Sequence, residues 1–175
     1  MIWLRVAALT LLMVIPAHAS IPPYYQRVGE SLEIPAVLLY AIAIQESRPP
    51  VGVISGVDIP WPWTLNCAGR GFYFSNRTAA VRYARALISA GQNCDIGLMQ
   101  ISWRWHERRF ASISDAFDPY TNIRTGAEIL HEQYARTGTW ASAVGAYHSP
   151  SNAARAERYM NNVKKHLLYL NGERD

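Results

Sequence analysis

Glu46 is the residue whose position could do chemistry most directly. It closes an apolar segment with Val37, Leu38, Ala41, Ile42 and Ile44 at helical spacing, and Pro49-Pro50 follow soon after. That spacing predicts a helix beginning near Pro35, apolar nearly all round and therefore central. A carboxyl at its end lies against low-dielectric core and near the negative end of the helix dipole, and both disfavour the charged form. A carboxyl still protonated near neutral pH can give its proton to a leaving oxygen, the step that cleavage of a glycosidic bond needs. A second carboxylate, as two-carboxyl glycosidases require, would come by position from Asp58 or Asp95. Further on, Gln100 is a lone amide in an otherwise apolar strip and needs a polar partner.

Other chemistries fail on spacing. His131-Glu132 begins a zinc-protease pattern, but residue 135 is Ala, so the second histidine is missing. No GxSxG elbow occurs, and two cysteines without CxxC spacing do not make a zinc site. No metal and no cofactor is expected. Lys and Arg outnumber Asp and Glu by 17 to 13, which suits an anionic polymer without choosing one. Scattered arginines such as Arg104, Arg108 and Arg109 carry no nucleic-acid-binding signature, so nucleic acid is not expected as a partner.

The elements that must position these residues read as one helix-rich domain with a short β excursion. A first helix is expected from Pro22 to Glu33, followed by the one ending at Glu46. Trp63-Thr64-Leu65 and Phe72-Tyr73-Phe74 flank Ala68-Gly69-Arg70-Gly71, which predicts a hairpin with a glycine-rich turn. Ser75 is placed to cap a helix from Arg77 to Ala90 that stops at Gly91. Asp118-Pro119 is a cap-plus-proline start for a helix to about Ala135, and Thr139 opens a short one carrying Tyr147. Ser149-Pro150-Ser151 breaks it, and a last helix runs to about Leu170.

The N-terminus predicts export. Arg5 precedes the apolar run Val6 to Ile15, Pro16 breaks it, and Ala17-His18-Ala19 is the small-x-small pattern of a signal-peptidase site. The run is shorter than the roughly 20 residues a bilayer span needs. Residues 1–19 are therefore expected to be removed, leaving a periplasmic domain of residues 20–175 with no stable membrane span. Outside the cytoplasm Cys67 and Cys94 are expected to pair, worth about 3–4 kcal/mol by loop closure. The alternative is two buried free thiols.

Several segments together resemble one family. Ala41-Ile42-Ala43-Ile44-Gln45-Glu46-Ser47 resembles the AIAxxES segment that carries the catalytic glutamate of the lytic transglycosylases, and Gly97-Leu98-Met99-Gln100-Ile101 resembles their GLMQ motif. Residues Asn122 to Leu130 are similar to the helix segment that follows, and Ala146-Tyr147 to the start of the AYN motif. The order is the family's, over about residues 24–168. The resemblance implies a lysozyme-like α+β fold, predominantly helical, and cleavage of peptidoglycan glycan strands with formation of a 1,6-anhydro-muramyl product. It implies Glu46 as the single catalytic acid. Ser47 would hydrogen-bond substrate, orient Glu46 or simply end the helix, and Gly97 would let sugar approach the backbone. Met99 would offer an apolar contact to substrate or pack in the core, Gln100 would offer an amide for acetamido groups, and Tyr147 a hydroxyl for Glu46, the muramyl residue or the backbone. His148 departs from the pattern, standing where the family has Asn. Small enzymes of this type often serve envelope-spanning machines, so components of a secretion, conjugation or pilus apparatus are expected partners. A hydrolytic muramidase and a non-catalytic wall-binding scaffold are the alternatives. For the scaffold, the aromatic stretch Trp61 to Phe74 and the cluster Trp103-Arg104-Trp105-His106 would stack on sugars or on a partner.

Overall fold

A computed structural model describes residues 21–52 and 59–172. The expected signal segment 1–19 and Asp58 lie outside the described residues. Helices α1 (Pro23–Leu32) and α2 (Ala36–Ser47) precede two strands, β1 (Thr64–Cys67) and β2 (Arg70–Tyr73). Helix α3 (Arg77–Ser89) leads to β3 (Cys94–Ile96), β4 (Ile101–Ser102) and the short helices α4 (Trp103–His106) and α5 (Ile113–Ala116). The chain closes with α6 (Pro119–Thr137), α7 (Trp140–His148) and α8 (Ala153–Leu170). No helix among the described residues is long and apolar enough to cross a membrane.

The apolar run of α2 behaves as its composition demands. Leu38 through Ala43 are all buried, and α2 packs against α1 and α8 at the centre of the helical layer. Around it α6 packs on α1 and α7, and α7 on α8. The stops and starts are local chemistry. The Asp118 side chain accepts a hydrogen bond from the Thr121 amide ahead of Pro119, and Gly138 in the left-handed region (φ 76°) ends α6. Thr139 and Asn152 cap α7 and α8 in the same way. For α3 the cap is Asn76 rather than the expected Ser75. Asn76 is the last extended residue, so its side chain reaches the Ala79 amide at 2.9 Å, one position later than the serine could.

The β excursion is larger than a hairpin. Four antiparallel strands run in the order β2-β1-β3-β4. The first turn is tighter than the expected four residues, because Ala68 and Gly69 both take positive φ (52° and 79°), the two-residue form that matches strand twist. Strands β3 and β4 were not expected, being only three and two residues long. Cys67 and Cys94 are directly opposite across β1 and β3, Cα atoms 4.2 Å apart, and are joined by a disulfide.

Candidate active site

Helix α2 delivers Glu46 to an open cleft of about 750 Å³ between the helical layer and the sheet. The side chain of Glu46 is 14% exposed. Its pKa is raised to about 7, chiefly by burial, which penalises the carboxylate. The Tyr159 hydroxyl donates to Oε1 at 2.5 Å and pulls the other way, while the nearby negative charge of Asp95 raises it further. Glu46 is therefore a half-protonated carboxyl near neutral pH, able both to give a proton and to take one back.

The sequence singled out neither Tyr159 nor its contact with Glu46. Tyr159 lies on the buried stripe of α8 with Val163 and Leu170. A tyrosine on an apolar stripe needs a partner for its hydroxyl, and that was the available signal. The partner is 113 residues earlier in the chain, which spacing does not reveal.

The expected site residues divide into those that face the cleft and those that hold it up. Ser47 is buried, and its hydroxyl donates to the Ala43 carbonyl at 2.9 Å. Its own carbonyl accepts from the Thr64 hydroxyl and the Trp61 amide, which ties the end of α2 to β1.

Residues 97–100 form the turn between β3 and β4. Gly97 has φ 80°, and a Cβ there would lie 2.5 Å from Nδ2 of Asn122. That buried amide excludes a side chain at position 97. Asn122 donates through Nδ2 to the carbonyls of Ile96 and Ala116, and its Oδ1 accepts from the Met99 amide at 2.8 Å. Met99 is fully buried, lying against Gly126, where a Cβ would come within 2.7 Å of it. Met99 thus makes the core contact that was one of its two expected roles.

Tyr147 lines the cleft, but its hydroxyl donates to the Met99 carbonyl at 2.7 Å and not to Glu46. Gln100, at φ 43°, also lines the cleft and donates through Nε2 to the Gly97 carbonyl at 2.8 Å and the Thr64 carbonyl at 3.3 Å. The amide that the apolar strip left unexplained thus has its partners in the backbone. Asp95 projects from β3 into the same cleft, with its pKa raised by burial against an opposing hydrogen bond from Ser102.

His148, the last residue of α7, stacks on Tyr159 with ring centroids 4.4 Å apart and planes 1° from parallel. Its Nδ1 is 4.0 Å from Glu46 Oε1. Of the expected stacking cluster, Trp105 is exposed and lines the cleft, while Trp103 stacks on Phe110.

A carboxyl of raised pKa in a sugar-sized trough is suited to general acid–base cleavage of a polymer laid along it. The family model described as Transglycosylase SLT domain matches residues 23–168. No curated protein matches the chain, and no solved structure does.

Proposed function

The chain belongs to the SLT transglycosylase family and is a peptidoglycan lytic transglycosylase, and from that premise we propose that Glu46 is its single catalytic acid and base. Glu46 protonates the oxygen leaving the β-1,4 bond between N-acetylmuramic acid and N-acetylglucosamine. The resulting carboxylate then accepts the proton of the muramyl 6-hydroxyl as that oxygen bonds to the anomeric carbon, closing the 1,6-anhydro ring. The substrate supplies its own nucleophile, so one protein carboxyl suffices. The observation that carries this reading is the placement of Glu46, largely buried at the cleft with the Tyr159 hydroxyl on Oε1, and the pKa of about 7 that this burial causes fits both halves of the cycle. Gln100 and Tyr147 contact the strand from the cleft walls. Ser47, Gly97 and Met99 serve it by fixing those walls.

A second reading has its own support. Asp95 lies in the same cleft and its charge is felt by Glu46, so a hydrolytic muramidase has a candidate second carboxylate on β3. Mass spectrometry of soluble muropeptides released from purified peptidoglycan separates the two. Products ending in 1,6-anhydro-muramic acid, lost in Glu46→Gln, are expected. Reducing-end products that vanish in Asp95→Asn would replace the proposed mechanism with hydrolysis.

An enzyme acting on peptidoglycan works outside the cytoplasm. The finer placement is proposed from the sequence: signal cleavage before Ser20, a periplasmic mature chain, and local opening of the wall for a secretion, conjugation or pilus apparatus. N-terminal sequencing of the exported protein is expected to begin at Ser20.

A further inference from the structure

His148 stands where the resemblance implies an Asn, and it touches the Glu46–Tyr159 pair from the side. The parallel stack fixes the plane of the Tyr159 ring, and that ring must be held for its hydroxyl to stay 2.5 Å from Glu46 Oε1. We propose that His148 is a positioning residue that, in its neutral form, clamps Tyr159 against Glu46 and, once protonated, slows the enzyme, so that this one side chain sets the acid limb of the pH–rate profile. The proposal rests on Glu46 being the catalytic group.

The groups facing the imidazole are Glu46 from α2 and Tyr159 and Arg155 from α8, while Asp95 acts from β3 on Glu46. Burial, then the positive charge of Arg155, lower the pKa of His148 and favour its neutral form. Acidification reverses this. A cation 4.0 Å from Oε1 weakens the carboxylate as a base for the muramyl hydroxyl. It also places positive charge beside a transition state that is itself oxocarbenium-like. An asparagine in the same place cannot charge.

The test compares His148→Phe, His148→Asn and His148→Ala with the wild type, as rate of muropeptide release against pH from 4 to 9. Melting temperatures confirm folding, and Glu46→Gln is run in parallel. Phe keeps a stacking ring without a titrating nitrogen, Asn restores the family's amide, and Ala removes both ring and charge. At pH 7 His148→Ala is expected to lose about tenfold and His148→Phe about twofold, the size of one ring–ring contact. Both Phe and Asn should lose the acid limb, their rates staying on a plateau where the wild type declines. Superimposable acid limbs in wild type and His148→Phe, with Glu46→Gln inactive, would overturn this proposal alone. So would a His148→Ala rate equal to wild type at pH 7. Full activity of Glu46→Gln would overturn the Glu46 reading, and this one with it.

Discussion

The two sides of the cleft are built on different physical principles. On the helical side, α2, α7 and α8 bring Glu46, His148 and Tyr159 together, with Glu46 and Tyr159 largely cut off from water, so that desolvation sets their acidity. On the sheet side, Asn66, Asp95, Gln100 and Ser102 sit on strands of two to four residues and their connecting turn. That side is held by backbone register, by the buried amide of Asn122 and by a disulfide. The helical side stores reactivity at some cost in stability, and the sheet side stores shape. Substitutions should therefore separate: those on the first side change rate and its pH dependence, and those on the second change melting.

Glu46→Gln is the sharpest way to break that contrast. Muropeptide release should fall by about a thousandfold or more, within the span usual for loss of a general acid. Stability should move in the opposite direction. Because the folded form holds its proton up to about pH 7 against a usual value of 4.5, the stability that Glu46 contributes is fullest below 4.5 and declines as pH rises towards 7. The Gln variant escapes that decline. Thermal melts should show it more stable by up to about 3 kcal/mol at pH 8 and show no such gain at pH 4.

Asn122→Leu acts on the other side. It orphans two buried carbonyls and the Met99 amide, and urea denaturation should register a loss of roughly 3–5 kcal/mol. Removing the Cys67–Cys94 bond, by Cys→Ser at both positions, should cost about 3–4 kcal/mol by loop closure across 27 residues. Far less change is expected in the pH profile, because neither cysteine touches Glu46. Tyr159→Phe is the gentlest. It removes a donor that favours the carboxylate, so Glu46 should hold its proton to higher pH and the alkaline limb should shift upward, with a rate loss of severalfold. An unshifted alkaline limb would detach Tyr159 from the acid.

These contrasts also mark what the sequence could say. Asp118-Pro119, Thr139 and Gly138 announce helix ends through interactions within a few residues, and the helices begin and end accordingly. The apolar run before Glu46 announces a buried helix and hence an abnormal carboxyl, and the raised pKa follows from that burial. What could not be read depends on contacts between distant segments. Tyr159 is tied to Glu46 by the docking of α8 on α2, and β3 and β4 exist only because β1 is there to pair with them. Motif residues are a related case. Ser47, Gly97 and Met99 sit in the segments that resemble the family's, and the contacts that they make with Thr64, with the Asn122 amide and with the core are also between segments that spacing does not bring together.

The separation of 113 residues between Glu46 and Tyr159 has a consequence in time. A chain emerging in order exposes α2 long before α8 exists, and until α8 docks Glu46 lacks both its tyrosine and part of the packing that dehydrates it. During that interval it is an ordinary solvated glutamate with the usual pKa of 4.5, ionised and unable to donate a proton at neutral pH. With Glu46 as the proposed acid, the capacity to cut wall polymer is among the last properties the molecule acquires. Unfinished or unfolded copies would then carry that side chain and leave the wall intact.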